Sequence, residues 1–198
     1  MIQKYLTESF ILKDKFEKHI SIKQELTDLI LNTKDEGWYN NEGNYNDRLL
    51  KTDWPLSSDF KRVWVKFFIE DLSNQLNKFS NYLGYTDVII NKVWYQMYEK
   101  NNIHNWHIHA DNFTGVYFLK MPEDDENNYT EFLSPNNFNS SFKIRVKEGD
   151  VIFFPSHLIH RAPALRKDDT KIIISWNLNV SSVKEEITSD KTQTTIIN

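Results

Sequence analysis

The sequence contains no cysteine among its 198 residues, and it has only five glycines and five prolines. The absence of cysteine excludes a disulfide scaffold, a zinc finger and a cysteine nucleophile. A chain of this length can bury roughly 70% of its unfolded surface, so a hydrophobic core is sufficient to stabilise it. We therefore expect one globular domain over residues 1–198.

Long hydrophobic runs are also missing. Residues 1–8 lack the apolar core of a signal peptide, and no run approaches the roughly 18 apolar residues of a membrane span. We expect a cytoplasmic protein that does not associate with membranes. Its many asparagines, isoleucines and lysines are compatible with an AT-rich genome and a virus-encoded protein in the host cytoplasm.

A strong positive charge is the third missing feature. The 24 basic and 28 acidic side chains give a net charge of -4, and the bases are scattered among the acids. A continuous positive field that could neutralise phosphates is not expected, which argues against general nucleic-acid binding. The oligomeric state is left open by the sequence.

The first 85 residues predict a helical support region. Ser21 and Gln24 have the spacing of a capping box, and the apolar periodicity after them predicts a short amphipathic helix that ends near Gly37. A second, longer periodicity predicts a helix from Ser58 to Leu83, with Gly84 at its end. The segment between them, residues 37–53, is a polar loop rich in Asn and Asp.

After Gly84 the pattern changes to short runs of β-branched and aromatic residues. Eight strands at such spacing favour a sandwich or a jelly roll over residues 86–180, followed by a polar tail, residues 181–198. The predicted strands are 86–98, 105–109, 113–121, 128–133, 142–146, 150–155, 158–164 and 171–180.

Five of the six histidines fall into two groups, which is the main functional signal. In an extended strand alternate residues share a face, so the side chains of His107, His109 and Asp111 are expected to point the same way. His109 and Asp111, joined by His160 from the second group, predict a facial triad of metal ligands. Such a triad leaves three positions open and suits ferrous iron.

Three further residues are predicted to lie near the substrate. His107 could replace Asp111 in a cupin-like His-x-His pair, but the acidic residue that a cupin places shortly downstream is absent, so a position behind the metal ligands or facing the substrate is favoured. Trp106 adjoins it. Asn177 belongs to a polar face of the last strand, with Lys171 and Ser175, which we expect to line the interior of the barrel while helices cover the apolar face.

Four strings within roughly residues 90–180 carry a family resemblance. They are His109-Ala110-Asp111, Phe113-Thr114-Gly115-Val116-Tyr117-Phe118-Leu119, Gly149-Asp150 through Phe154-Pro155-Ser156-His157-Leu158-Ile159-His160, and Lys171 through Ser175-Trp176-Asn177. Together they resemble the 2-oxoglutarate- and Fe(II)-dependent oxygenases, most of all a small branch common in marine viruses and bacteria that includes prolyl-hydroxylase-like members.

The resemblance implies a mainly β fold with N-terminal helices, a double-stranded β-helix of the cupin-like jelly-roll kind. It implies Fe(II) and 2-oxoglutarate as cofactors, with O2 as cosubstrate. Lys171, eleven residues after His160, stands where a base pairs with the distal carboxylate of 2-oxoglutarate. Several relatives assist that carboxylate with a serine where this chain has Ile173, so Tyr98 or Tyr117 is expected to supply the hydroxyl.

The leading hypothesis is a hydroxylase that converts 2-oxoglutarate to succinate and CO2 while oxidising a C–H bond, with no catalytic side chain beyond the metal ligands. The substrate is a small molecule, a peptide or a protein, and peptidyl proline is the first to test. Two alternatives are a non-catalytic jelly-roll binding or structural module, and a cupin-type enzyme without 2-oxoglutarate, which would not need Lys171. The 37–53 loop, with Trp38, Tyr39 and Tyr45, and the acidic turn at 122–128 are candidate covers for the substrate.

Overall fold

The computed structural model describes residues 9–33, 49–122 and 125–180. Within these ranges the chain forms two α-helices and ten β-strands. The elements in chain order are β1 (Leu12–Lys15), α1 (His19–Leu31), β2 (Lys51–Thr52), α2 (Val63–Leu83), β3 (Val88–Tyr98), β4 (His104–His107), β5 (Phe113–Lys120), β6 (Glu131–Ser134), β7 (Asn137–Lys143), β8 (Asp150–Pro155), β9 (His160–Ala162) and β10 (Lys171–Val180).

The strands form two antiparallel sheets. The larger sheet has the order β1-β8-β5-β10-β3-β2 and the smaller one β4-β9-β6-β7. Strands that are adjacent in sequence often lie in different sheets, as β4 and β5 do, which is the winding of a jelly roll. The predicted mainly β jelly roll with N-terminal helices is confirmed.

The alternation of side chains on β5 and β10 separates two hydrophobic cores. Tyr117 and Trp176 belong to the first core, where the larger sheet packs against α1 and α2. Phe118 and Ile173 belong to the second, which lies between the two sheets. The expectation that helices cover the apolar face of the last strand, while its polar face turns inward, is therefore confirmed.

All eight predicted strands are present, with shifted ends; the largest shift is at β7, which was placed at 142–146. The N-terminal region also contributes β1 and β2 to the larger sheet, and neither was predicted.

Helix α2 ends as predicted at Gly84, whose φ of 78° is the left-handed conformation that glycine adopts freely. The predicted capping box at Ser21 is wrong, because α1 begins at His19 and the Ser21 hydroxyl donates to the Lys18 carbonyl oxygen instead. The helix also ends at Leu31, well before Gly37.

Most of the predicted 37–53 loop and all of the 181–198 tail lie outside the described residues, as do positions 123 and 124 of the acidic turn. In the ranges that are described, no helix combines the length and the apolar character needed to cross a bilayer.

Candidate metal centre

Three imidazoles lie together between the two sheets. Ligand nitrogens of His107, His109 and His160 all lie within 4.8 Å of one another. Nε2 of His109 is 3.3 Å from Nε2 of His160, and the ring centroid of His107 is 4.3 Å from that of His160. Across residues 9–33, 49–122 and 125–180, this is the one group of three metal-ligating side chains at such spacing.

The positions of the three histidines follow from the strand pairing. His107 ends β4, His160 begins β9, and the two are direct partners in the antiparallel register, so their side chains share a face. His109 lies two residues beyond β4, in the connection that crosses to the larger sheet. Its backbone N–H donates to the carbonyl oxygen of Ser156 at 3.0 Å, just after β8, which holds this connection against the barrel.

Two of the rings are oriented by backbone carbonyl groups. Nδ1 of His107 lies 2.6 Å from the Asn105 carbonyl oxygen, and Nδ1 of His160 lies 2.8 Å from that of Leu158. A carbonyl oxygen can only accept, so each ring carries its proton on Nδ1 and keeps the Nε2 lone pair for a ligand.

Burial favours the neutral form of His109 and His160. Loss of solvent and then the charges of His107 and Lys92 lower the pKa of His109 to about 3. The pKa of His160 is also held well below its usual range, first by burial and then by the neighbouring histidines. A neutral imidazole is the form that binds a metal, so these two rings are ready for one at physiological pH.

Asp111, predicted as the carboxylate ligand, is not brought into this group. Its Oδ1 accepts a hydrogen bond from the Asn91 side-chain amide at 2.5 Å. The prediction assumed that the strand continues through residue 111, but β4 ends at His107 and residues 110–112 bend. The alternation of an extended strand therefore stops before Asp111, and His107 lies beside His109 and His160 instead.

Lys171 is buried, with 2% of its surface exposed. Its Nζ donates to the Asn128 carbonyl oxygen at 2.6 Å and lies 5.2 Å from the centre of the Tyr98 ring. Burial lowers its pKa to about 7. In the described part of the chain no carboxylate forms an ion pair with Lys171, so two of its three possible hydrogen bonds remain to be made. A buried ammonium with this surplus of donors favours an anionic partner.

One pocket is lined by the three clustered histidines and by Tyr98, whose ring lies near the Lys171 ammonium. It is lined by alternate residues of the larger sheet, which all face the smaller one, and by the histidines. The lining residues are Trp94, Gln96, Tyr98, His104, His107, His109, Thr114, Val116, Thr130, His160, Arg161, Ala162, Ile173 and Ser175. Tyr98 is the partner of Lys171 in the register of β3 and β10, so it lies between the buried ammonium and the pocket that the histidines line.

The two tyrosines predicted to assist Lys171 lie on opposite faces of the larger sheet. Tyr98 lines the pocket. Tyr117 belongs to the core on the helical side, where its hydroxyl lies 2.6 Å from Nδ1 of His19. Tyr117 therefore does not reach the pocket, because neighbouring residues of a strand alternate in direction and Val116 points inward.

The residues predicted to lie near the substrate have different surroundings. His107 is within the imidazole cluster. The Trp106 ring lies beneath the Arg161 guanidinium, 4.5 Å from its carbon, and that guanidinium binds Glu131 at 2.7 Å. Asn177 is buried, and its Oδ1 accepts a hydrogen bond from the Thr114 hydroxyl at 3.2 Å.

Sequence reasoning missed most of the pocket wall. His104 stacks on His107 with 3.9 Å between ring centroids, and Gln96 lies 3.0 Å from its Nδ1. Trp94 stacks on His109 with 5.7 Å between centroids. The available signal was the alternation of β3, where residues 94, 96 and 98 share the face that carries the pocket.

Comparison with known proteins finds a family match for part of the chain. The family described as putative 2OG-Fe(II) oxygenase matches residues 92–177, a segment that contains the three clustered histidines and Lys171. No curated protein matches the chain in sequence.

Solved structures share the fold at low sequence identity. A viral collagen prolyl hydroxylase from Paramecium bursaria Chlorella virus-1, in complex with 2OG, aligns with a TM-score of 0.58 and 18% identity over 85% of this chain and 95% of that one. A prolyl hydroxylase from Trichoplax adhaerens, in complex with a peptide of hypoxia inducible factor, gives 0.56 and 17% over 92% and 87%. The epimerase SnoN with Fe3+, alpha ketoglutarate and nogalamycin RO gives 0.64 and 10% over 96% and 88%.

The matched segment carries the three clustered histidines and the buried lysine, and it lies in a jelly roll shared with these enzymes. Over residues 92–177 the chain is similar to the 2OG-Fe(II) oxygenases, enzymes whose cofactors are Fe(II) and 2-oxoglutarate.

Proposed function

We propose that this protein hydroxylates a C–H bond of a small-molecule or peptide substrate, with His107, His109 and His160 as the iron ligands and Lys171 as the anchor of 2-oxoglutarate. One observation carries the proposal: a cluster of three imidazoles lines a pocket, and Tyr98, which lines the same pocket, lies against the buried Lys171 ammonium.

The residues fit both groups. Three neutral nitrogen donors on one side of a pocket suit a six-coordinate ferrous ion, and they leave positions for a bidentate ligand and for O2. The buried Lys171 ammonium, which has only a carbonyl partner in the described ranges, suits the distal carboxylate of a dicarboxylate. The bound iron and 2-oxoglutarate supply the activation of O2, with succinate and CO2 as products.

The protein's own contribution is orientation and the exclusion of water. Backbone carbonyl groups hold the rings of His107 and His160, and Trp94 stacks on the ring of His109. The side chains of Val116 and Ile173 make part of the wall apolar. A dry, rigid wall keeps the reactive centre away from bulk water.

A third protein ligand also favours hydroxylation. Halogenating relatives lack the third ligand and place a halide on the iron, as the family resemblance implies. In the proposed set His107 takes the third position, whereas the sequence alone predicted Asp111 there. With either His107 or Asp111 as the third ligand, the iron position that a halide takes in those relatives is filled by the protein. Both ligand sets therefore favour hydroxylation.

The decisive experiment separates these two ligand sets. Alanine variants of His107, Asp111, His109 and His160 are purified without metal and loaded with Fe(II) without oxygen. Bound iron is measured by mass spectrometry, and 2-oxoglutarate-dependent succinate formation is measured afterwards. His157→Ala is the matched control, because His157 is exposed and lies in the same segment as His160.

We expect His107→Ala, His109→Ala and His160→Ala to lose iron, and Asp111→Ala to retain it. Loss of iron in Asp111→Ala with retention in His107→Ala would establish the set His109, Asp111 and His160. A wild-type protein that binds no Fe(II), or forms no succinate from 2-oxoglutarate, would overturn the proposed function itself.

Substrate identity is tested by stimulation of succinate formation. Prolyl peptides come first because two of the similar structures are prolyl hydroxylases, one of them holding a peptide. Free amino acids and small metabolites follow, since SnoN holds a small molecule on the same fold. A true substrate increases succinate formation above the substrate-free rate and gains the mass of one oxygen atom.

A further inference from the structure

Alternate residues of β3 form a row that leads from the buried end of the pocket towards solvent. The members that line the pocket are Trp94, Gln96 and Tyr98. Lys92 continues the same face of the strand and is half-buried. Tyr98 lies opposite the buried Lys171, so a cation lies at each end of the row, and the two ends are roughly 20 Å apart along the strand.

The imidazole cluster contacts this row between the two cations. The ring of His109 stacks on Trp94, with 5.7 Å between ring centroids. In the proposed function 2-oxoglutarate reaches the metal from the end where Lys171 is buried. A substrate must then approach from the opposite end, past Trp94 and Lys92, so the residues at that end are candidates for substrate recognition.

Trp54 widens this end of the pocket wall beyond β3. Its ring meets that of Trp94 edge to face, with 4.6 Å between ring centroids. Nζ of Lys92 lies 4.7 Å from the centre of the Trp54 ring. In the part of the chain that the structure describes, neither tryptophan belongs to the two hydrophobic cores. Packing of the cores therefore does not explain the position of these rings.

The backbone around Trp54 is fixed against β3. The buried carboxylate of Asp53 accepts hydrogen bonds from the Tyr95 backbone N–H at 2.9 Å and from Nε1 of Trp64 at 2.8 Å. The backbone N–H of Trp54 donates to Oγ1 of Thr52 at 3.2 Å. A ring that is already held in place loses little conformational entropy when a ligand contacts it, which favours binding at this position.

The charge of Lys92 is not neutralised by any acidic side chain in the described ranges. The ion pairs there do not include Lys92, and its ammonium lies over the Trp54 ring. The neighbouring carboxylate of Asp111 accepts a hydrogen bond from Asn91 instead. An aromatic face attracts a cation but leaves the three N–H donors of the ammonium available. Lys92 can therefore pair with an acidic group of a bound molecule.

We propose that Lys92, held over the Trp54 ring, is a specificity-determining residue that binds the carboxylate of an acidic side chain in a peptide substrate. The inference rests on the proposed function, because it assumes that the substrate approaches the imidazole cluster from this end. Lys92 lies roughly 7 Å beyond Trp94 along the strand, so several bonds must separate the carboxylate from the oxidised carbon. A neighbouring residue of a peptide gives that separation.

The test selects peptides by affinity and does not assume which residue is oxidised. A mixture of random hexapeptides is passed over the immobilised protein, loaded with Fe(II) and 2-oxoglutarate without O2, and the retained peptides are sequenced by mass spectrometry. We expect the wild type to enrich Asp and Glu, Lys92→Met to lose this enrichment, and Lys92→Glu to enrich Lys and Arg. The net charge of -4 attracts basic peptides, so it cannot cause an enrichment of acidic ones.

Lys66→Glu is the matched control for the change in net charge. Lys66 is exposed and lies on α2, which covers the other face of the larger sheet. This variant should enrich the same peptides as the wild type does. Thermal unfolding shows which variants are folded, and Lys92→Met is the substitution that adds no charge if Lys92→Glu does not fold.

Calorimetry on one enriched peptide measures the size of the effect. A counterpart with Gln in place of Glu should bind the wild type about tenfold more weakly, because one charge-assisted hydrogen bond is lost at a partly exposed site. Trp54→Ala should reduce this difference and Trp54→Phe should restore it. The amide of N-acetylglutamate carries the same carboxylate without a peptide chain, and binding as tight as that of the peptide would overturn the peptide as the source of the carboxylate.

The role of Lys92 is overturned if the wild type enriches no acidic residues, or if Lys92→Glu and Lys66→Glu enrich the same peptides. Iron binding and succinate formation by the wild type distinguish this result from failure of the proposed function. A wild type that binds Fe(II) and forms succinate, but shows no acidic preference, contradicts only the role of Lys92. A wild type that binds no Fe(II) contradicts the metal site itself.

Discussion

Lys171 and Tyr98 face each other across β10 and β3, and the Lys171 ammonium lies 5.2 Å from the centre of the Tyr98 ring. A second ring, that of Phe118, lies 5.8 Å from the same nitrogen. Aromatic faces attract a cation but do not replace a carboxylate, so the ammonium is prepared for an anionic ligand. The predictions on 2-oxoglutarate follow from this pair.

Replacing Lys171 with Met should raise the apparent 2-oxoglutarate constant roughly ten- to hundredfold, because a charge-assisted hydrogen bond of about 1.5–3 kcal/mol is lost. Fe(II) binding should not change, since Lys171 is not in the imidazole cluster. The measurement is succinate formation against 2-oxoglutarate concentration, with the surface variant Lys120→Met as the control. An unchanged constant would mean that another base, Arg161 or Arg166, binds the carboxylate.

The affinity for 2-oxoglutarate should fall as the pH rises above about 7. Burial lowers the pKa of Lys171 to about 7, so above this pH a proton must be taken up when the dianion binds. Affinity should then decrease by up to roughly tenfold per pH unit. Isothermal titration calorimetry between pH 6.5 and 9 measures the affinity for 2-oxoglutarate.

Lys171→Arg is the matched variant for this pH dependence, because a guanidinium keeps its charge throughout the range. In this variant the affinity for 2-oxoglutarate should decrease much less as the pH rises. The free energy of unfolding of the metal-free wild type should move the other way, increasing with pH relative to Lys171→Met, because unfolded Lys171 binds a proton that the folded protein releases. A 2-oxoglutarate affinity that is flat with pH in the wild type would contradict a neutral buried lysine.

The periodic parts of the fold were predictable from the sequence, because side-chain alternation and helical spacing are local properties. The eight strands after Gly84 and the end of α2 are examples. β1 and β2 were not predictable in this way, since they have four and two residues and are defined by their partners β8 and β3. A strand that short carries too little periodicity to be recognised alone.

The candidate site shows the same division. His109 and His160 were predicted from spacing, and both are in the cluster. Which residue joins them as the third member depended on where β4 ends. That end is decided by the crossing to the other sheet and not by the residues His107 to Asp111 themselves. Long-range contacts such as the hydrogen bond between Thr114 and Asn177 depend on how distant strands pair, so the sequence could place Asn177 on the inner face but could not assign its partner.

Tyr98→Phe and Tyr117→Phe should have different effects, because the two hydroxyls lie on opposite faces of the larger sheet. Tyr98→Phe should raise the apparent 2-oxoglutarate constant, since Tyr98 adjoins both Lys171 and the pocket. Tyr117→Phe should leave that constant unchanged and lower the free energy of unfolding by about 1 kcal/mol, because the hydrogen bond to His19 is lost. Steady-state kinetics measures the 2-oxoglutarate constant of both variants, and urea unfolding measures their free energy of unfolding. A higher 2-oxoglutarate constant in Tyr117→Phe would contradict the assignment of the two tyrosines to opposite faces.

Gly115 should not tolerate even one added methyl group. It lies opposite Trp176 in the register of β5 and β10, and a Cβ at this position would approach Cζ2 of the Trp176 ring to 2.2 Å. The ring is completely buried in the core under the helices and has no room to move. Gly115→Ala should therefore lower the free energy of unfolding by about 3 kcal/mol, the upper part of the usual range for overpacking.

The cause is tested by a double-mutant cycle measured by urea unfolding. Trp176→Leu removes the ring that the added methyl group would meet, at the cost of a cavity in the core. In this background Gly115→Ala should destabilise the protein much less than it does in the wild type, which gives a coupling energy of about 1–3 kcal/mol between two residues in contact. Additive effects of the two substitutions would show that Gly115 is needed for the flexibility of its backbone, and that its role is not to make space for Trp176.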